Sequence, residues 1–478
     1  MKLLRVALKN YKHLKKIDLK IAEPGEKGDF PAYFCIGLNG SGKSAFLEAV
    51  ALIFSRVSQD ELPGFWFKIE YEVLLEGKAV QVSVCPEQKR ELGRLHIEID
   101  GEIFHSFQGR EDYLPRKVII YVSGPNSQMR ELIGQAARDS IISDIYDARG
   151  EESDKIQEYL QHLSRLSRNP RILYLDEETA PYVLFALCTW LPPEPWEYNR
   201  LRGEILRKIG EGVRVNAFSL VAKEELESSL VKQLFSAGRE KSGLADWVVK
   251  EEKGMRAVYK VGAEGGGFCN RRIREAYDDP LRLLTLLLRA RADGELQECH
   301  FFFKKDAEGE MLGEKALSDG ELLWLARMGL VLAASQGDAD NCLFLFDEPD
   351  VYLNESWNVE FVSGLERLTG KKHNSFWIAT HSSLLLTDAP SGQVFLFEKT
   401  VDGIKAGKVP ISLFAGSRQE ISRNVFQNSA RMGQYADRRV KEMMQDRNRE
   451  HLEEYIEQVG SGIWRFKLLE KYYGDTEE

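Results

Sequence analysis

Cysteine is sparse in this chain of 478 residues and never occurs as a close pair. The six thiols, Cys35, Cys85, Cys188, Cys269, Cys299 and Cys342, include no CxxC spacing. That argues against a disulfide framework or a zinc site and fits a reducing, cytoplasmic setting. Long hydrophobic runs are also missing. The longest, YVLFALCTWL and LRLLTLLLRA, fall short of the roughly 18 residues a bilayer demands, and the second carries arginines. The start, MKLLRVALKNYKHLKK, has no small-residue cleavage site and alternates like a strand. An excess of basic charge is absent as well. Lys and Arg number 65 against 75 Asp and Glu, a net charge of −10. Such a chain is poorly suited to coating nucleic acid with its whole surface, although a local basic groove stays open. No internal repeat or sustained heptad is present, so no long coiled coil is expected.

What is present is material for a core: 43% hydrophobic and 29% charged residues. Two strand-like runs lead to the apolar strand AYFCI and the helical SAFLEAVALIF. Residues 65–110 alternate in short stretches (FKIEYEVLL, AVQVSVC, LHIEID) broken by Gly-containing turns, the pattern of antiparallel strands. From about residue 140 charged helical patterns dominate, beginning with EESDKIQEYLQHLSRLSR. Buried strands return as CHFFFKK, CLFLF, SFWIAT and QVFLFEK, and a polar helical tail follows. Buried strands alternating with helices imply an α/β fold with a mostly parallel, helix-covered sheet.

Four motifs carry chemistry. GLNGSGKS fits G-x-x-x-x-G-K-[ST] and runs from a strand into a helix, the context a phosphate-binding loop requires. Its candidate phosphate-binding residues are Gly37, Asn39, Gly40, Ser41, Gly42, Lys43, Ser44 and Ala45, with backbone N–H groups and the helix N-terminus turned to phosphate oxygens. Lys43 would bridge the β- and γ-phosphates of ATP, and the Ser44 hydroxyl would ligate Mg²⁺. LFLFDEPD places Asp347 and Glu348 at the end of a buried strand. Asp347 would hold Mg²⁺ through water and Glu348 would act as general base; taken alone, the pair reads equally as solvated strand-end acids. In ALSDGELLWL, Ser318 can cap a helix with Gly320 and Glu321 in its first turn. This is an anion site or a plain capping box. His381, in IATHS, can donate to a γ-phosphate or serve only structure.

In that order the motifs resemble the Walker A, signature, Walker B with D-loop, and H-loop elements of ABC-type ATPases of the SMC/RecF/OLD kind. The resemblance covers residues 1–60 and 300–400, with a signature that departs from LSGGQ at Asp319 and Glu321. It implies a P-loop NTPase head with an antiparallel β subdomain. The head would be split into 1–140 and 296–415 by a mostly helical insertion, 141–295, with a tail from 416 to 478 available to a partner. It further implies that Ser318 and Gly320 serve the ATP of a second copy, so that two heads sandwich nucleotide as a dimer or higher homo-oligomer. Asn354 would lie at that interface and Gln128 would be the Q-loop residue; the Tyr11–His13 turn is the candidate beside adenine. LPRKVIIYVSGPNSQMREL and VGSGIWRFKLL look like segments of restriction-system-associated ATPases, including the ATPase subunit of Septu-like anti-phage defence. That likeness implies a separate nuclease subunit, and no intrinsic nuclease motif is visible. A DNA-repair ATPase that binds nucleic acid directly is the alternative.

Overall fold

The computed structural model of the chain describes residues 1–21, 30–87, 93–123, 171–190, 203–226, 229–236, 244–251, 254–261, 273–274, 277, 279–305, 309–336, 340–370, 372–390, 392–401, 403–426, 434–446 and 448–474. Residues up to Ile421 make one compact unit and those from Ser422 a second.

The first sheet of the larger unit is antiparallel. Its strands are β1 (Lys2–Tyr11), β2 (Leu14–Lys20), β4 (Trp66–Leu75), β5 (Lys78–Pro86), β6 (Leu95–Ile99) and β7 (Glu102–Phe104), in the order β2-β1-β4-β5-β6-β7. β4 shows why: Phe67, Ile69, Tyr71 and Val73 alternate with polar neighbours and are fully buried on one face. Tight turns at Glu76-Gly77 and Asp100-Gly101, with positive φ at all four residues, join β4 to β5 and β6 to β7.

The second sheet holds β3 (Ala32–Ile36), β8 (Lys117–Val122), β9 (Ile172–Leu175), β15 (Cys342–Asp347), β16 (Ser375–Ala379), β17 (Val394–Thr400) and β18 (Gly403–Lys408). Its order is β18-β17-β3-β16-β15-β8-β9, parallel throughout except at β18. β3, β15 and β16 are buried along their whole length, hence their continuous apolar runs. Helix α1 (Lys43–Val57) packs between the two sheets and is buried nearly all round, in one hydrophobic core shared with both. Each of its buried Phe, Leu and Ile side chains contributes about 1.5–3 kcal/mol.

The expected α/β architecture is therefore present. The stretch 141–295 was expected to be mostly helical; its described residues hold strands as well as helices. It contains α2 (Ala180–Trp190), α3 (Ser229–Leu234) and α4 (Pro280–Ala292). It also supplies β9 to the parallel sheet. Its remaining strands, β10 (Arg214–Ala222), β11 (Trp247–Glu251) and β12 (Gly254–Lys260), join β13 (Leu296–Lys304) and β14 (Leu312–Gly313) in a five-stranded antiparallel sheet. These strands pack on α2 through Phe185, which meets Phe218 and Tyr259 edge-on; their Val, Phe and Tyr side chains suit such a pleated, half-buried surface. The helix read from EESDKIQEYLQHLSRLSR lies outside the described residues.

Two further helices, α5 (Asp319–Ala334) and α6 (Glu355–Thr369), pack together through Trp324 and Trp357, with Phe361 of α6 against Phe346 of β15. α7 (Arg418–Val425) leads out of this unit. In the smaller unit, α8 (Gln434–Gln445), α9 (Arg449–Gln458) and α10 (Ile463–Gly474) close around Met443, Leu452, Ile456 and Leu468. The Lys471 ammonium caps the end of α8 through the carbonyls of Met444 and Asp446. Among the described residues, no helix is long and apolar enough to cross a membrane.

Candidate functional site

The loop between β3 and α1 takes its shape from two glycines. A Cβ on Gly37 (φ 145°) would stand 2.2 Å from the Phe397 carbonyl oxygen. One on Gly42 (φ 96°) would strike Ile404 and Leu14 at 2.7 and 2.8 Å. No other residue fits either place, and the β17–β18 hairpin thereby sets the loop's outer wall. Asn39 and Gly40 are exposed at the tip, while Ser41 and Ala45 are buried. The buried Ser41 hydroxyl has no hydrogen-bond partner.

Lys43 is only 5% exposed. Its ammonium donates to the Gly37 and Leu38 carbonyls at 3.1 and 3.4 Å and to Nε2 of His381 at 2.7 Å. His381 must accept there, so its imidazole is neutral. Burial and then the Lys43 charge hold it below its ordinary pKa. Burial also lowers Lys43, against the pull of Glu348 and Asp347.

The Ser44 hydroxyl donates to Asp347 Oδ1 at 3.0 Å, joining residues 303 apart in sequence. β15 is parallel to β8 and β16, so Asp347 and Glu348 emerge at the same edge as the loop. Burial pushes the Asp347 carboxyl up to about 6, with the Ser44 hydrogen bond opposing it. Glu348 takes φ 50° and its N–H is pinned to the Ala379 carbonyl at 2.8 Å. For a residue with a Cβ this left-handed conformation costs on the order of 1 kcal/mol and marks a site where geometry is imposed. Its carboxylate lies 3.5 Å from His381 Nε2. Lys43, Ser44, Asp347, Glu348 and His381 thus form one cluster. The glycine-shaped loop, the unsatisfied Ser41 hydroxyl and the buried lysine fit a polyphosphate. Paired Ser and Asp oxygens fit a hard divalent cation.

The signature residues stand apart from that cluster. Ser318 caps α5, its hydroxyl and N–H engaged with the Glu321 carboxylate at 2.8 and 2.7 Å in a full capping box. Ser318 is exposed and Glu321 half-buried. Gly320 lies against the turn after β15: a Cβ there would stand 2.6 Å from the Tyr352 carbonyl oxygen. Asn354 caps α6 by accepting from the Trp357 N–H at 2.9 Å. In the Tyr11–His13 turn, the Tyr11 ring is buried against Phe65 at 4.6 Å and has no open face for a base. Exposed His13 instead borders the loop, its Nε2 3.5 Å from the place of a Gly42 Cβ. Gln128 lies outside the described residues.

Sequence reasoning missed several supports. Lys12 grips Glu48 of α1 through both carboxylate oxygens, tying the β1–β2 turn to the helix after the loop. Asp350 accepts from the Thr380 hydroxyl at 2.7 Å, one residue before His381. Arg327, in the middle of α5, is fully buried. Only the last left a signal, a lone positive charge inside the apolar run LLWLARMGLVLAA.

No family model matches the chain, and no curated protein matches it. Solved structures similar to it include an SMC head bound to the C-winged helix domain of ScpA, at 12% identity and a TM-score of 0.35 over 86% of this chain and 98% of that one. An SMC head domain from Thermotoga maritima matches at 11% identity and 0.36, covering 86% and 100%. An Smc head with an extended coiled coil, bound to the C-terminal domain of ScpA and derived from Pyrococcus furiosus, matches at 13% and 0.39, covering 86% and 96%. Likeness at this level leaves the reading of the site to its own geometry.

Proposed function

We propose that this chain is an ABC-type ATPase that binds Mg²⁺–ATP between β3 and α1, hydrolyses it, and works as a pair of heads closed over nucleotide. The observation that carries this is the Ser44–Asp347 hydrogen bond, which joins the phosphate loop and the acidic strand end into one cation site. Bound Mg²⁺ would neutralise charge on the β- and γ-phosphates. The loop amides and Lys43 bind phosphate, and Lys43 leaves His381 to do so. Glu348 takes the proton of the water that attacks the γ-phosphorus while ADP departs. His381, its Nε2 released by Lys43, then carries a proton there, by a switch of tautomer from Nδ1 or by uptake from solvent, and donates it in a hydrogen bond to the γ-phosphate. The exposed N-terminus of α5, with Ser318, Gly320 and Glu321, suits the phosphates of a second copy, and the exposed apolar side chains Leu38 and Tyr352 suit a protein surface beside it.

The finer reading is control of a separate nuclease in cytoplasmic anti-phage defence, with the 416–478 tail as the partner-binding segment. It is supported by the sequence likeness of the β8 region and the tail to restriction-associated ATPases. The test has two arms. Purified Glu348→Gln protein should bind ATP with Mg²⁺ and shift from monomer to pair in light scattering; no nucleotide binding would overturn the ATPase reading. Tagged protein recovered from its native operon with ATP should bring down a nuclease subunit. Salt-sensitive, ATP-dependent DNA binding by the chain alone would instead favour a repair ATPase.

A further inference from the structure

Arg327 is 0% exposed, among the largest fully buried side chains of the molecule. It lies nine residues beyond Ser318 on α5, and its neighbours Leu323, Trp324, Leu325, Ala326 and Met328 are buried and apolar. Taking a guanidinium out of water is costly, and a Met or Leu would fill the same volume without that cost. Its contacts say what the charge is for. One terminal nitrogen donates to the Pro349 carbonyl. The other donates to the Ser123 hydroxyl at 2.9 Å, and the guanidinium lies over the Tyr121 ring, 4.8 Å from its centroid.

Each acceptor belongs to the site. Pro349 follows Glu348, whose backbone is already held in the left-handed region. Ser123 follows β8, and its N–H donates to the Asp347 carbonyl at 3.2 Å. Asp350, next in the turn, feels the Arg327 charge, which favours its ionised form against burial; its carboxylate holds Thr380 beside His381. A connected set of contacts therefore runs from the helix capped by Ser318, through Arg327, to Glu348 and His381.

We propose that Arg327 is a positioning residue for hydrolysis: it fixes the Glu348–Pro349–Asp350 turn to α5, so that engagement of Ser318 by the second copy's nucleotide is felt at this copy's own Glu348. The inference rests on the ATPase reading above. Its consequence is that the two sites of a pair fire in dependence on one another, through a side chain that touches neither nucleotide. The planar fork of arginine is required, because a lysine, as a point charge, cannot span the Pro349 and Ser123 acceptors together.

The test compares wild type with Arg327→Met, Arg327→Lys and Ser123→Ala, reading ATP Kd, kcat, KM and melting temperature. Loss of charge-assisted hydrogen bonds at the turn should lower kcat about 10- to 100-fold in both Arg327 variants, with Lys giving no rescue, while Kd stays within about 3-fold. Ser123→Ala removes one acceptor and leaves the charge in place, so kcat should fall about 3- to 10-fold without change in Kd. In the Glu348→Gln background, Arg327→Met should still form ATP-dependent pairs. Wild-type kcat per folded molecule in Arg327→Met overturns the inference. If the Arg327 variants do not fold, Ser123→Ala decides, and its turning over like wild type overturns the inference alone. If wild type itself neither binds nor hydrolyses ATP, the ATPase reading falls and takes the inference with it.

Discussion

The phosphate loop and the signature turn are both glycine-containing helix N-termini, yet they satisfy their polar groups in opposite ways. At the loop, Lys43 and Asp347 are buried and bonded to residues far along the chain. At the signature, exposed Ser318 and half-buried Glu321 are bonded to each other. Buried charge is tolerated only where partners converge, and partners from β15 and β16 converge on the loop alone. A turn that satisfies itself locally is ready to exchange its capping bonds for an outside ligand at small cost. The difference teaches that the loop's polar groups are held by the fold, while those of the signature turn are held by their own helix.

The sharpest way to break this comparison is to mutate both ends. Lys43→Ala should weaken ATP binding by about 100-fold or more, whereas Ser318→Ala should leave it within about 3-fold and abolish only pair formation. Titration calorimetry together with light scattering reads both; equal loss of binding would erase the distinction. Next in size is Glu348→Gln, expected to cut turnover about 100- to 1,000-fold with ATP still bound, since it removes only the proton acceptor.

Gly320→Ala probes how tightly the signature is joined to the turn after β15. In an open helix the change would stabilise by about 1 kcal/mol. Here the Cβ meets backbone oxygen at 2.6 Å, so stability in chemical denaturation should fall by about 1–3 kcal/mol instead.

The ligand-free protein offers a titration at each end. Burial holds Asp347 at about 6, above its unfolded value, so its contribution to stability is full below about pH 4 and is lost as pH rises through 6. Asp347→Asn should remove that slope, leaving the variant up to about 3 kcal/mol more stable than wild type at pH 8 without ligand. It should also abolish Mg²⁺-dependent stabilisation. On the signature side, His300 of β13 faces Glu298 at 2.9 Å and Glu314 at 2.5 Å, the latter just before Ser318. Burial lowers the imidazole, but these two hydrogen bonds outweigh it and raise its pKa. Its contribution is therefore full below the unfolded value and lost as pH rises past the raised one. His300→Gln should remove a few tenths of a kcal/mol at pH 6 and nothing at pH 9, because solvent screens the pair. Chemical denaturation across that range measures both effects.

Sequence reading reached as far as local rules reach. Gly37, Gly42 and Ser44 follow from a backbone pattern, Asp347 and Glu348 from an apolar strand that ends in acids, and Ser318 from a capping box. It failed where contacts link distant segments. The Tyr11–His13 turn reads as the candidate beside adenine, but Phe65 packs on the Tyr11 ring, and β10 pairs with β13 across about 80 residues of chain that no local pattern joins.

By itself, then, the sequence determined where phosphate can be cradled, which acids end a buried strand and which turn caps its own helix, because each depends on neighbours within a few residues. Only the tertiary structure decided that Ser44 and Asp347 share a bond, that Lys43 rests on His381, and that Arg327 ties α5 to Glu348. Those contacts join segments 303, 338 and 22 residues apart. No local pattern can encode them, since they exist only where sheet order brings strand ends to one edge.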